Sequence, residues 1–261
     1  MVCIKFTVEG QCNSKLQHLY KHQQLVVPHP AGAGFRQKTM TTLLKIDFVS
    51  DVSCPWCAIG LKALDQALAR VAADITVELH FQPFELNPKM AIEGQEITEH
   101  ITEKYGITPE QADVNRENIR LRGEEVGFIF SRADHPGGGR SRIYNTFDAH
   151  RLLHWAGLQG RGMQKTLKEG LLKAYFTDGQ SPASHAILAR VARESGLDTV
   201  RTAEILASQV YAKEVRERES FYLAQGVHSV PAVIINDRHL ISGGQPVEVF
   251  EQALRQVAAA G

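Results

Sequence analysis

The sequence lacks any run of about eighteen apolar residues, so it offers no candidate for a transmembrane helix. It also lacks an excess of charge, since 29 Lys and Arg residues are balanced by 29 Asp and Glu residues. No general attraction to nucleic acid or to an anionic membrane is therefore expected. The N-terminus shows no charged segment followed by an apolar one, so no signal peptide is visible and the cytoplasm is the expected location.

Cysteine is scarce, with only four in 261 residues, which is too few for a disulfide scaffold. Two of them form the motif Cys54-Pro-Trp-Cys57, and the other two, Cys3 and Cys12, lie far upstream. The pair could be half of a zinc site, although a structural zinc usually needs four ligands, or it could be a plain structural disulfide. Its setting favours a redox dithiol, because an apolar strand at residues 43–49 precedes it and a helix follows.

Cys54 stands where that helix is predicted to begin. Apolar residues then recur at spacings of three, four and three, which places them on one helix face: Leu61, Leu64, Leu68 and Val71. The first N–H groups of a helix are unpaired and its macrodipole is positive there, so a thiolate at this position is stabilised and its pKa is expected to fall. Pro55 suits the first helical turn. Cys57 lies one turn later on the same face, within reach of a mixed disulfide at Cys54.

Residues 1–40 differ from the rest of the chain. The first 24 residues show no clear period, and residues 27–35 are rich in Pro and Gly, which is typical of a linker. Met40 stands directly before the first predicted strand. We expect residues 1–40 to be a disordered or non-native extension, with Met40 as the natural start or with a dispensable leader before it.

After the first helix, apolar and polar residues alternate over residues 75–82, which predicts a strand. The helical crossover between the two strands favours a parallel βαβ unit. From Pro83 to about Gly226 the chain is predicted to be almost wholly helical, and three helix starts are visible: the capping box Thr108-Pro-Glu-Gln111, the N-cap Asn145-Thr146, and Ser181-Pro182, which opens a helix that Gly196 ends.

Strand character returns only near the C-terminus. Residues 232–235 and 240–241 are predicted to form a β-hairpin, and Pro246 opens a last amphipathic helix. The predicted fold class is therefore α/β, with the order βαβ, a long helical insertion and ββα. We predict four segments: the extension 1–40, the first α/β half 41–84, the helical insertion 85–226, and the second half 227–261. Because the insertion is too long to be a loop, its helices are expected to form their own layer on the sheet.

Pro231 precedes the hairpin directly. From the residues alone it is either a strand-start proline, which cannot donate to the ladder, or part of a cis peptide, which is found in only about 5–6% of X–Pro bonds in folded proteins.

The motifs taken together resemble the DsbA family of thioredoxin-fold proteins, and more closely its FrnE-like branch of cytoplasmic disulfide oxidoreductases. The resemblance covers residue 43 to about residue 258, and its most specific stretches are Asp51-Val-Ser-Cys-Pro-Trp-Cys57, Phe81-Gln-Pro-Phe-Glu-Leu-Asn-Pro88, Asn145-Thr-Phe-Asp-Ala-His-Arg-Leu-Leu153 and Ser242-Gly-Gly-Gln-Pro246.

The resemblance implies roles for particular residues. Cys54 would attack and Cys57 would resolve, and Val230-Pro231 would be the cis-proline loop, whose backbone pairs with an extended substrate segment. Four residues expected near these sulfurs are candidate substrate-binding residues: Trp56, His228, Ser229 and Val230. His228 is explained at least as well as a solvated loop histidine. Some thioredoxin-fold proteins carry a buried acid on the first strand as proton acceptor for the resolving cysteine, and Asp47 is the candidate here, although its offset differs by one residue.

Two departures from the family pattern are visible. Ala58 stands where many FrnE-like sequences have an aromatic residue, which would widen the substrate face. The dipeptide Pro-Trp lacks the histidine of the strongly oxidising periplasmic relative, so one stabiliser of the Cys54 thiolate is missing. The expected reduction potential lies between roughly −270 mV, as for thioredoxin, and roughly −120 mV, as for that relative.

Two further groups are weaker candidates for sites. His150 and His154 lie four residues apart and could ligate a metal, but there is no Glu of a His-Glu-x-x-His motif and no third ligand, so packing or surface roles are favoured. Residues 137–139 are all glycine, and the basic residues around them form a candidate site for an anion such as glutathione, although a mobile loop is the simpler interpretation: Arg132, His135, Arg140 and Arg142.

The sequence thus predicts a thiol–disulfide oxidoreductase without metal or organic cofactor, with glutathione as a candidate co-substrate. Its partners would be disulfide- or thiol-bearing proteins or small molecules, and the chain would be a monomer or homodimer. The main alternative is a glutathione-dependent isomerase or transferase, as in the hydroxychromene-carboxylate isomerases and kappa-class glutathione transferases. Those relatives generally carry serine in place of the attacking cysteine, and Ser50 and Ser53 keep this alternative open. A chaperone-like binder using the helical layer is a non-enzymatic alternative.

Overall fold

The structure of the protein is a computed structural model that describes residues 2–3, 41–131 and 142–260. The strands are β1 (Val2–Cys3), β2 (Thr42–Ser50), β3 (Ile75–Pro83), β4 (Gln95–Glu96), β5 (Arg142–Ile143), β6 (Ala232–Ile235) and β7 (His239–Ser242). The helices are α1 (Pro55–Val71), α2 (Ile97–Tyr105), α3 (Pro109–Glu125), α4 (Phe147–Gln159), α5 (Arg161–Phe176), α6 (His185–Glu194), α7 (Thr199–Leu206), α8 (Ala212–Ala224) and α9 (Val247–Ala260).

The main sheet has the strand order β1-β7-β6-β2-β3. Strands β2 and β3 are parallel over their whole length, from Thr42 opposite Ile75 to Ser50 opposite Pro83. Strand β6 pairs antiparallel with both β2 and β7. The predicted βαβ unit, the hairpin and the final helix are therefore confirmed, with the long helical segment between them. The short strand β1 pairs parallel with β7 at the other edge of the sheet.

The two faces of β2 contact different helices because successive side chains point to opposite sides of a sheet. Leu44, Ile46 and Phe48 pack into the core formed with α1 and α9, which also contains Cys57. Val49 belongs instead to a smaller core on the other face, with Tyr222 of α8. Helix α1, and the cysteines at its start, thus lie on the Phe48 side of the sheet.

Helices α4 to α7 have a core of their own, as expected for a separate helical layer. Helix α5 is anchored to the sheet at its edge, where the Gln164 side chain accepts a hydrogen bond from Phe81 N (3.1 Å) and donates one to Phe81 O (3.0 Å). These bonds satisfy backbone groups that an edge strand otherwise leaves unpaired. Two ion pairs join α5 to α1, Lys165–Asp65 at 2.7 Å and Glu169–Lys62 at 3.2 Å. The helical layer is therefore fixed directly against the helix that carries the Cys-Pro-Trp-Cys motif.

Of the three helix starts predicted between Pro83 and Gly226, those at Thr108 and Thr146 are confirmed and the third is wrong. The capping box at Thr108 is confirmed, with both reciprocal hydrogen bonds present. The expected start at Ser181-Pro182 is wrong, because Ser181 Oγ accepts a hydrogen bond from Ala183 N within a turn and the helix begins three residues later, at His185, with Ser184 as N-cap. Strands β4 and β5 interrupt the segment predicted to be wholly helical.

Two predictions concern regions that the structure describes only in part. Within residues 1–40, the described residues are the two of β1, so the predicted extension, including Cys12, otherwise lies outside the described residues. The candidate anion loop around residues 137–139 lies outside them as well. In the described ranges, no helix is both long and apolar enough to cross a bilayer.

Candidate active site

The two cysteines of the motif lie at the junction of β2 and α1. Cys54 is the N-cap of α1 and has extended backbone angles, while Pro55 occupies the first helical turn. The backbone N–H of Cys57 donates to Cys54 O at 3.1 Å, which closes the first turn. Both cysteines are free thiols and lie 3.4 Å apart. Cys54 is 4% exposed and Cys57 is fully buried, so only the first sulfur has any access to solvent.

Asp51 organises the turn that leads to Cys54. Its fully buried carboxylate accepts hydrogen bonds from Ser53 N at 3.2 Å and from Leu86 N at 2.7 Å. His150 Nε2 of α4 lies 3.4 Å from Asp51 Oδ1, an ion-pair contact at the outer limit of a hydrogen bond. Burial on its own would raise the pKa of Asp51, but His150 and the two backbone N–H groups outweigh burial and lower it to about 2.

The loop before β6 closes over Cys54. The Val230–Pro231 peptide bond is cis, and Val230 O lies 3.6 Å from Cys54 Sγ. Pro231 is buried, whereas His228 and Ser229 are exposed. Trp56 is 39% exposed and therefore presents its ring to solvent beside the sulfurs. The structure thus brings the two cysteines, Val230 and Pro231 together, while substrate-binding roles for Trp56, His228 and Ser229 remain predictions.

The close approach of α1 to this loop depends on Gly60. A Cβ at position 60 would lie 3.1 Å from Pro231 Cγ and 3.2 Å from Gly244 Cα. Replacing Gly60 with Ala is therefore expected to lower the free energy of unfolding by about 1 kcal/mol through overpacking, and to slow disulfide exchange severalfold by shifting the loop. Denaturant unfolding and turnover with a model disulfide measure the two effects.

Gly162→Ala is the matched control for that substitution, because a Cβ at Gly162 in α5 would meet nothing within 4 Å. Alanine in an open helical position is expected to stabilise the protein by roughly 0.5–1 kcal/mol and to leave exchange unchanged. If both alanine variants had the same effects on unfolding and on disulfide exchange, the close contact at Gly60 would not contribute to function.

Asp47 does not lie with the cysteines. It follows Ile46 on β2, so its side chain points to the face away from α1. There its Oδ1 accepts a hydrogen bond from Gln82 at 2.6 Å, and its Oδ2 pairs with Lys45 at 3.1 Å. The structure therefore gives no support to Asp47 as the proton acceptor for Cys57.

Lys168 of α5 is the ionisable group that sequence reasoning missed. It is fully buried, and the positive charge that it carries once protonated lowers the pKa of the Cys57 thiol. Burial and the neighbouring Cys54 oppose that effect, so the pKa of Cys57 is raised well above its usual value. The sequence feature that could have indicated a buried lysine is the position of Lys168 next to Leu167 and three residues before Leu171, on the apolar side of the helix.

An exposed cation lies on the other side of the site. Lys104, near the end of α2, is held by hydrogen bonds from Nζ to Leu86 O (2.9 Å) and to Asn87 Oδ1 (2.7 Å). Burial lowers the pKa of Lys104, and the charges of Asp51 and Cys54 raise it. Lys104 thus contributes positive potential near the Cys54 sulfur.

The weaker candidate residues have other surroundings. His150 is buried against Asp51, whereas the ring of His154 packs on Tyr211, so the two histidines do not converge on one site. Arg142 donates to Glu93 O at 2.9 Å and to Gly94 O at 2.7 Å, which ties β5 to the loop before β4. No group of three or more His, Cys, Asp or Glu side chains within the described ranges could hold a metal ion.

A strand-to-helix dithiol facing a cis-proline loop agrees with the family comparison. Residues 45–255 match the model of the DSBA-like thioredoxin domain. The chain belongs to this family. The match confirms the resemblance stated from the sequence and the thioredoxin-like fold. Membership of this family supports an oxidoreductase or isomerase role for the chain, with thiols or disulfides as substrates.

Solved structures extend this comparison. A probable DsbA oxidoreductase from Streptomyces coelicolor is 32% identical, with a TM-score of 0.74 over 83% of this chain and 90% of that chain. A 2-hydroxychromene-2-carboxylate isomerase is 14% identical, with a TM-score of 0.61 over 83% and 97% of the two chains. The cytosolic disulfide reductase DsbM from Pseudomonas aeruginosa, with GSH, is also 14% identical, with a TM-score of 0.56 over 82% and 99%. At 14% identity these last two show that this chain shares the DSBA-like fold.

Proposed function

We propose that the protein is a thiol–disulfide oxidoreductase that exchanges disulfides through Cys54 and Cys57. The observation that carries the proposal is the pair of free thiols 3.4 Å apart, with Cys54 Sγ at the helix N-cap and 3.6 Å from Val230 O. A helix start stabilises the thiolate that attacks a disulfide. The 32% identical probable DsbA oxidoreductase supports the same activity.

The proposed reaction proceeds through a mixed disulfide. The Cys54 thiolate attacks a substrate disulfide, one substrate sulfur leaves, and Cys57 then displaces the other to form the Cys54–Cys57 disulfide. An external thiol, with glutathione as the candidate, returns the dithiol to its reduced state. An extended substrate segment would align along the Val230 backbone in the manner of an added strand, with Trp56, Ser229 and His228 beside it. The proposed location is the cytoplasm, where a dithiol that cycles is more natural than a permanent disulfide.

Redox titration tests this function. Equilibrating the protein with glutathione buffers and following tryptophan fluorescence is expected to reveal one two-electron transition, with a potential between about −270 and −120 mV. Trapping the thiols by alkylation at each point provides an independent count of reduced cysteines. Cys57→Ser is the control, because it cannot form the internal disulfide and is expected to lose the two-electron transition. A wild-type protein that never exchanges with glutathione over this range would contradict the proposal.

A second candidate function is supported by the fold shared with the hydroxychromene-carboxylate isomerase. An isomerase would use glutathione bound at a serine or cysteine beside the proline loop. Ser53, which is buried directly before Cys54, is the candidate serine for such a site. The presence of both cysteines in contact favours disulfide exchange over this alternative.

A further inference from the structure

Lys168 is buried without an evident partner. It is 0% exposed, and its Nζ atom makes no hydrogen bond within the described part of the chain. A lysine buried in this way pays for desolvation of its ammonium, which favours the uncharged amine. Burial accordingly lowers the pKa of Lys168, while the charges of Cys57, Asp51 and Cys54 act in the opposite direction. An amine in this setting is able to accept a proton.

Helix α5 packs into the core that contains the redox centre, because Leu172, one turn after Lys168, lies in the same core as Cys54 and Cys57. Lys168 lies one turn after Gln164, which binds the edge of β3, and one residue before Glu169, which pairs with Lys62 of α1. A cavity of about 10 Å³ beside Lys168 is lined also by Ser50, Gln82 and His150. This volume corresponds to about one water molecule. His150 of α4 lines the same cavity as Lys168, and the charges of Cys57, Asp51 and Cys54 act on the Lys168 amine.

Cys57 requires such a group. Its sulfur is fully buried, and burial together with Cys54 raises the pKa of its thiol. Asp47, the acid expected from the family pattern, lies on the other face of β2. Among the charged side chains that act on Cys57, Lys168 is the one that lowers its pKa.

We propose that Lys168 is the general base for Cys57 and takes up its proton when the mixed disulfide at Cys54 is resolved. The inference rests on the disulfide exchange proposed above. The Cys57 S–H proton passes to the uncharged Lys168 amine, and the Cys57 sulfur attacks Cys54 Sγ. The S–S bond between Cys57 and Cys54 forms, and the bond between Cys54 and the substrate sulfur breaks. The substrate leaves as a thiolate that takes a proton from solvent, so the dithiol is oxidised and the substrate disulfide is reduced by two electrons.

The reaction of the reduced protein with excess 5,5′-dithiobis(2-nitrobenzoate) separates the two chemical steps. Attack by Cys54 releases one coloured thiol at a rate proportional to reagent concentration, and resolution by Cys57 releases the second at a rate independent of it. Lys168→Met removes the base. It is expected to leave the first phase within about twofold of the wild type and to slow the second about 100-fold, the lower end of general-base effects.

Lys168→Arg distinguishes a base from a buried positive charge. Arginine keeps the charge but cannot give up its proton near neutral pH. The second phase is therefore expected to be as slow as with methionine, and in both variants its rate is expected to keep rising to higher pH than in the wild type. Lys173→Met, which removes an exposed lysine of the same helix that pairs with Asp178, is the matched control and should leave both phases unchanged. Thermal unfolding verifies the fold of each variant. Lys168→Gln replaces Lys168→Met if that variant does not fold, and the pH dependence of the second phase carries the distinction if Lys168→Arg does not.

The outcomes separate the two proposals. A wild-type protein that releases no coloured thiol in either phase would overturn the disulfide exchange itself. If the first phase is normal and the second phase is unaffected in Lys168→Met, Lys168 is not the base, although the exchange stands. The same conclusion follows if Lys168→Arg restores the second phase. A second phase slowed in both variants, with the pH dependence moved upward, supports Lys168 as the base.

Discussion

Replacing Cys54 with Ser is expected to reduce disulfide reduction to the uncatalysed background, a loss on the order of 10³-fold or more. Cys54 is the sulfur at the helix N-cap, and it is the one with access to solvent and to the Val230 carbonyl. A serine hydroxyl at this position remains protonated at neutral pH and does not attack a disulfide. Turnover with glutathione and a model disulfide measures the loss, and binding of a thiol-blocked substrate is expected to persist.

Cys57→Ser provides the matched comparison at the neighbouring sulfur. The first attack remains possible in that variant, but nothing resolves the intermediate, so a covalent mixed disulfide at Cys54 is expected to accumulate and to be visible by mass. The same pair of variants tests the alternatives. Isomerase turnover that survived Cys54→Ser would favour the isomerase, and suppression of aggregation as the sole activity, equal in wild type and both variants, would favour a chaperone-like binder.

The location of the candidate site could be predicted because its signals are local. A strand, a proline at the first helical turn and an apolar helix face all lie within thirty residues of Cys54, and the structure places Cys54 and Cys57 where those signals predict. The cis state of the Val230–Pro231 peptide bond, in contrast, has no local signal in the sequence. The residues alone left both isomers open, and the family resemblance, not a local pattern, favoured the one that the structure shows.

The ionisable groups behind the cysteines could not be predicted in the same way. Strand β2 is buried on both faces from Ile46 to Ser50, so its sequence does not say which face meets α1, and Asp47 was expected on the wrong one. Lys168 is separated from the motif by more than a hundred residues and reaches it only because α5 is anchored to β3 and α1. Lysine stems usually carry the charge out to solvent, so an inward-facing lysine is a tertiary feature.

Replacing Asp51 with Asn is expected to lower the free energy of unfolding by about 2 kcal/mol at pH 7. The pKa of Asp51 falls from 3.8 to about 2 on folding, and each unit corresponds to about 1.4 kcal/mol of preference for the charged form. Asparagine keeps the size of the side chain but loses the charge that faces His150. Its single carbonyl oxygen can accept only one of the hydrogen bonds from Ser53 N and Leu86 N, because an NH₂ donor replaces the other carboxylate oxygen. Urea unfolding measures the difference, and Asp113→Asn, at an exposed i,i+3 pair with Arg116, is expected to change stability by less than about 0.5 kcal/mol.

The pH dependence of that difference identifies its cause. Because the folded pKa of Asp51 is lower than the unfolded one, its stabilisation is fully present above the unfolded value near 4 and is lost as pH falls through about 2. The difference in free energy of unfolding between the wild type and Asp51→Asn should thus be constant from pH 7 to 5 and decrease steadily below pH 4. If this difference stayed constant down to pH 3, the effect would come from the geometry of the hydrogen bonds and not from the charge of Asp51. Since Asp51 fixes both the turn before Cys54 and the backbone of Leu86, the variant should also slow the attack of Cys54 at neutral pH, whereas Asp113→Asn should not.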